Sequence, residues 1–261
     1  MPVRRVQFES ASPGEAPVNL AGIFDLPDET PRATAVFVHC FTCTKDIKAI
    51  TRISRLLAGH GIAVLRFDFR GLGGSKGAFA DSNFLTNLDD IRAAVAFMTK
   101  EIAAPQLLIG HSLGGAAMMA IAPEFESARG LVTLAAPSDT THLVQTLLRL
   151  NPEIGTKGQG DVVIGGMTHH VKQQMLEVLE SFDLPGRIKQ LSIPHLIFHS
   201  KVDQTVDLKH AHNLMEWTGG PKLLVTSGES DHLFVENPGD VKMIAEFVNA
   251  WFAITARRAS E

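Results

Sequence analysis

Ser112, Asp203 and His232 are the residues whose types and order along this chain could together carry out covalent chemistry. Ser112 lies in Gly110-His111-Ser112-Leu113-Gly114-Gly115, a G-x-S-x-G pattern that runs into the helix-forming Ala116-Ala117-Met118-Met119-Ala120. A serine in a strained strand-to-helix turn exposes its hydroxyl, and flanking glycines let neighbouring backbone pass close by. The helix N-terminus behind it favours negative charge that develops during reaction. A serine hydroxyl is barely ionised at neutral pH, so it needs a base, and imidazole has the pKa for that task. His232 would be that base, and Asp203 would fix its tautomer and stabilise its cation. The order Ser, Asp, His is the one a strand-turn-helix nucleophile uses. The remaining requirement is an oxyanion hole. Its expected donors are the backbone N–H groups of Leu113 and of Phe41, in the loop His39-Cys40-Phe41-Thr42.

These residues need a scaffold that delivers three loops to one edge. Two alternating segments, Val3–Phe8 and Val18–Leu26, predict an antiparallel pair. Short apolar runs follow at Ala35–His39, Ala63–Phe69, Gln106–Ile109, Leu131–Ala135, His195–His199 and Lys222–Thr226. Such β-rich runs suit a sheet covered on both faces. Helical patterns lie between them, at Ile47–Ala58, Leu85–Met98 and from about Gly239 to Ala256. The alternation predicts one α/β domain over residues 1–261, a mainly parallel, doubly wound sheet of about eight strands. Ser112, Asp203 and His232 each follow a strand, where open α/β sheets place reactive groups.

Residues 138–193 break this rhythm and are expected to form a cap over the mouth of the sheet. The pattern there predicts a helix Thr140–Leu150, a small strand Asp161–Ile164 and a helix over Thr168–Phe182. Most of its apolar residues (Leu143, Leu147, Leu148, Val163, Ile164, Met167, Met175, Leu179) should pack on the sheet. A minority, Met167 among them, should line an acyl pocket together with Phe41.

The 261-residue chain is 45% hydrophobic and 20% charged with a net charge of −4, which argues against nucleic acid as a partner. No apolar run approaches the roughly 20 residues of a membrane span. The first 18 residues lack a signal-peptide apolar region, which predicts a cytoplasmic protein. The expected partners are a small-molecule ester and at most a second copy of the chain, with no cofactor and no metal. His169-His170 face different ways on any regular element and have no carboxylate at ligand spacing. Cys40 and Cys43 form a C-x-x-C; two reduced loop thiols are expected, with a redox pair as the alternative. Asp139, on the loop after Leu131–Ala135, is an alternative partner for His232, and Asp231 is expected to point away. His39 and His111 are expected as hydrogen-bonded structural residues. Gly71-Leu72-Gly73-Gly74-Ser75 lacks the Lys-Ser/Thr of a phosphate loop.

Gly110–Gly115, His39–Thr42, Phe67-Asp68-Phe69-Arg70-Gly71-Leu72-Gly73-Gly74-Ser75 and the Asp203 and His232 loops resemble the α/β-hydrolase superfamily, from about Val18 to Phe252. His39 to Asp46 and Asn83-Phe84 followed by Asn87-Leu88-Asp89-Asp90 are similar to the hydrolase half of bacterial proteins often fused to an OsmC-like hydroperoxide-reductase domain. The cap resembles that of serine esterases acting on cinnamoyl and short-chain acyl esters. The resemblance implies an esterase. Other readings are a thioesterase, amidase or acyltransferase on the same residues, or a redox-coupled or non-catalytic partner of a hydroperoxide reductase using Cys40 and Cys43.

Overall fold

The computed structural model describes residues 1–258. Ten strands and nine α-helices are present among them. Strands β1 (Val3–Ser10) and β2 (Val18–Asp25) form the expected antiparallel pair, with Val3 opposite Asp25 and Ser10 opposite Val18. β3 (Ala33–Val38), β4 (Ile62–Phe67), β5 (Leu107–His111), β6 (Gly130–Leu134), β9 (His195–Ser200) and β10 (Lys222–Ser227) complete an eight-stranded sheet. The strand order is β1-β2-β4-β3-β5-β6-β9-β10, antiparallel from β1 to β4 and parallel thereafter.

The sequence dictates this sandwich through its period of two. In β5, Leu107 and Ile109 point to one face and Leu108 to the other. The first face is covered by α1 (Lys48–Gly59) and α9 (Pro238–Arg258), through Ile50, Ile53, Leu57, Ile244 and Val248. The second face carries α2 (Phe84–Glu101), α3 (Leu113–Ile121) and α8 (Lys209–Trp217), through Leu88, Ile91, Ala117, Met118 and Leu214. Asn83 starts α2 with a reciprocal capping box: its side chain accepts from Thr86 N–H, and its own N–H donates to the Thr86 hydroxyl. No helix among the described residues is long and apolar enough to cross a membrane.

Between β6 and β9 the chain forms α4 (Thr141–Leu150), α5 (Glu153–Lys157), the strands β7 (Gln159–Ile164) and β8 (Met167–Lys172), α6 (Gln173–Ser181) and α7 (Leu184–Lys189). The helix expected over Thr168–Phe182 therefore begins only at Gln173. Its first residues form the second strand of a hairpin, with Ile164 paired to Met167 and Gln159 to Lys172. Gly165 and Gly166 take φ of +60° and +78°, the left-handed pair a two-residue hairpin turn requires. Beyond the turn, His169 and Val171 face inward while Thr168 and His170 face solvent, a period of two that no helix supports.

Candidate active site

The nucleophile candidate stands on a turn that three glycines make possible. A Cβ at Gly110 would strike the carbonyl of Gly114, one at Gly114 the carbonyl of His39, and one at Gly115 would lie 2.6 Å from Ala136 Cβ. Glycine is thus required where β5, α3 and the loop after β3 converge. Between them Ser112 takes φ +54° and ψ −124°, while its N–H donates to Leu134 C=O at 2.8 Å. Ser112, Ala135 and Phe234 are the three non-glycine residues with positive φ among those described, and they fall on the loops after β5, β6 and β10. Strained backbone of this kind persists only where surrounding structure holds it.

Ser112, His232 and Asp203 meet at this turn. Ser112 Oγ lies 3.0 Å from His232 Nε2, and His232 Nδ1 lies 2.8 Å from Asp203 Oδ2. Asp203 Oδ1 accepts from the N–H groups of Thr205 at 2.8 Å and Val206 at 2.9 Å. Burial alone pushes the Asp203 carboxyl up, but His232 and these two backbone donors together hold it below the usual carboxylate value. An ionised Asp203 favours the proton on Nδ1 and leaves Nε2 free to accept one from Ser112. The arrangement can therefore draw a proton from the hydroxyl.

The other acids do not share this contact. Asp139 Oδ1 accepts from Thr141 Oγ1 and from His142 N–H, so it caps the start of α4. Asp231 accepts from the N–H groups of Leu233, Val235 and Glu236 and shapes the loop beyond His232. Two histidines act as neutral braces. His111 Nε2–H donates to His232 C=O at 2.8 Å, and burial first, then the nearby His232, pushes its pKa down to about 3. His39 donates from Nδ1 to Cys40 C=O at 2.7 Å and accepts Phe69 N–H on Nε2 at 3.1 Å.

Leu113 and Phe41 both carry backbone N–H groups with no protein acceptor among the described residues. Leu113 is the first residue of α3, where such orphan donors are inherent. The Phe41 loop is anchored beyond it at Lys45, whose backbone N–H and ammonium each reach the buried Asp68 carboxylate at 2.7 Å. Cys40 and Cys43 are joined as a disulfide, not present as the two expected thiols. Met167 is not delivered as a buried lining residue: it lies beside the hairpin turn and is 64% exposed. The inward residues of that strand are His169 and Val171, and the His169 ring packs 5.1 Å from Phe79; Phe79 in turn lies 5.4 Å from Phe41. This aromatic row links the Phe41 loop to the β7–β8 hairpin. No local periodicity announces it, because its three members come from separate segments. His199 was also missed; it buttresses the Asp203 loop by donating to Val206 C=O at 2.7 Å.

Comparison with known proteins agrees with this architecture. Residues 29–159 match the family described as serine aminopeptidase, S33. The chain is 41% identical to the esterase domain of a Rhodothermus marinus protein, covering 96% of this chain and 98% of that one with a TM-score of 0.76. It is 20% identical to a monoacylglycerol lipase of Mycolicibacterium smegmatis over 254 residues, 86% of this chain and 89% of that protein. Est1E from Butyrivibrio proteoclasticus, solved with ferulic acid bound, shares the fold at a TM-score of 0.78 and 21% identity, over 92% of this chain and 96% of that one. The chain therefore belongs to the serine aminopeptidase S33 family of α/β-hydrolases and is an esterase- or lipase-like hydrolase.

Proposed function

We propose that this hydrolase cleaves carboxylic esters of short-chain or aromatic acids through an acyl-Ser112 intermediate. The observation that carries the reading is the continuous contact from Ser112 Oγ through His232 to Asp203. Ser112 Oγ attacks the ester carbonyl as His232 Nε2 takes its proton. Asp203 stabilises the imidazolium, and the N–H groups of Leu113 and Phe41 receive the oxyanion. His232 then returns the proton to the departing alcohol. Water, deprotonated by the same nitrogen, releases the acid and restores Ser112. No cofactor enters the scheme.

Residues 138–193 act in this reading as the cap that sets access. The row Phe41, Phe79, His169 gives the acyl side of the site an aromatic wall, which favours flat acyl groups alongside short chains. The ferulic acid bound to Est1E, a protein of the same fold, supports the aromatic option. The test is a panel of p-nitrophenyl esters of graded chain length and of aromatic acids, with a thioester and an anilide beside them. Ester turnover that disappears in Ser112→Ala is the expected result. An inert wild-type protein, a marked preference for the anilide, or full activity in Ser112→Ala would contradict it.

A further inference from the structure

Cys40 and Cys43 close a disulfide around Phe41 and Thr42, with Cα atoms 5.2 Å apart, well inside the range a disulfide spans. Phe41 is the residue whose N–H is assigned above to the oxyanion. The loop is fixed independently on both sides of this ring. His39 binds the Cys40 carbonyl, and its own carbonyl abuts Gly114; Lys45 is fastened to Asp68, and its carbonyl accepts from Arg66 Nη1 at 2.8 Å. Inside the ring, a single 3.4 Å hydrogen bond from Cys43 N–H to Cys40 C=O is the non-covalent link across the turn. The Phe41 N–H shares one rigid peptide plane with the Cys40 carbonyl, which His39 and the Cys43 N–H hold, and the covalent bond locks the Cys43 end of that arrangement. The two sulfurs also differ in access: Cys40 is buried at 6% exposure, whereas Cys43 is half-buried.

We propose that Cys40–Cys43 is a thiol–disulfide exchange site that controls the oxyanion loop, reduced by a dithiol and re-formed by a hydroperoxide. The inference rests on the esterase reading with Phe41 as an oxyanion donor. A dithiol thiolate attacks the accessible Cys43 sulfur, and the bond to Cys40 breaks, leaving Cys40 as a thiolate that takes up a proton. The second thiol of the reductant then attacks its own sulfur in the mixed disulfide and releases Cys43. The protein disulfide gains two electrons and two protons, and the dithiol becomes a disulfide. In the reverse direction the Cys43 thiolate attacks the peroxide O–O bond, giving a sulfenic acid and water or an alcohol. Cys40 then displaces the sulfenic oxygen as water and closes the disulfide.

The four-residue ring lies at the short end of loop-closure entropy, so opening it costs less fold stability than opening a long-loop disulfide would. An oxyanion donor, in contrast, is worth roughly 10²–10³ in kcat when lost outright, and a donor that is merely loosened should cost about tenfold. These are the chain's two cysteines, so a thiol reagent acts nowhere else. The test measures p-nitrophenyl butyrate hydrolysis by the full chain after hydrogen peroxide, and again after dithiothreitol. Reduction is expected to lower kcat about tenfold, with KM nearly unchanged and Tm moved by a few degrees at most. Peroxide should restore kcat, and Cys40→Ser/Cys43→Ser should stay at the low value under both treatments. In a readout independent of turnover, glutathione disulfide should modify Cys43 in Cys40→Ser faster than it modifies Cys40 in Cys43→Ser. Equal kcat in the two redox states, or two thiols that peroxide leaves unpaired, overturns the control and leaves the esterase reading standing. No hydrolysis in either state overturns both.

Discussion

Ser112 stands in a conformation that costs backbone energy, and the hydrogen bond from its hydroxyl to His232 Nε2 is where that cost meets chemistry. Deleting the hydroxyl in Ser112→Ala or the base in His232→Ala should lower kcat by at least about 10⁴-fold while leaving Tm within a few degrees. Asp203→Asn should lower kcat by about 10⁴-fold as well, because an amide favours the wrong tautomer of His232. Asp139→Asn separates the two candidate acids. Asparagine keeps an oxygen for the cap on α4, so this variant should leave Tm nearly unchanged and kcat within a few-fold. Steady-state kinetics with thermal melts of the four variants check this set; a severe kcat loss in Asp139→Asn with Asp203→Asn unaffected would reverse the assignment. Ser112, Asp203 and His232 were legible in the sequence because each follows an apolar strand and local turn chemistry places it. Phe79 and His169 were not legible as neighbours: they belong to distant segments that pack only when the hairpin folds back.

Among the elements, the turn from β5 into α3 has no room for an added side chain. Gly114→Ala would drive a methyl group into the His39 carbonyl, and overpacking of this kind costs about 1–3 kcal/mol. The strain falls on the loop that leads to Phe41, so kcat should drop further than stability explains. Urea unfolding beside kinetics measures both, and unchanged kcat in a destabilised Gly114→Ala would show that the loop and the elbow are uncoupled. Strands β3, β5, β6 and β9 were readable as continuous apolar runs because both faces are covered. The strand Asp161–Ile164 was readable, but its partner β8 was misread as helix because Thr168 to Phe182 holds enough apolar residues for a helical count. The two-glycine turn and the alternating burial of His169 and Val171 decided the contest in favour of a strand.

The whole molecule keeps several histidines uncharged inside it. His111 and His195 are both pushed down to about 3, by burial first, with His232 adding to the effect at His111 and Lys222 at His195. In the unfolded chain each protonates near its ordinary value of 6.5. Below that pH the unfolded state binds more protons, so stability present above about pH 6.5 is lost as the pH falls toward 3. At about pH 5 the loss is about 2 kcal/mol per histidine, or about 4 kcal/mol for the pair. Urea unfolding near neutrality and at about pH 5 should show this decline, with these two rings taking up about two protons on unfolding and the other lowered histidines adding to that uptake; a flat profile would mean that water reaches these rings in the native state. In the proposed mechanism the acyl group passes through Ser112, and rapid-quench mass spectrometry of the protein mixed with p-nitrophenyl butyrate tests this step. A butyryl group is expected on the peptide carrying Ser112, formed as fast as the first equivalent of p-nitrophenol and absent from Ser112→Ala. Turnover with no acylated peptide, or a butyryl group at another residue whose loss stops turnover, would contradict it.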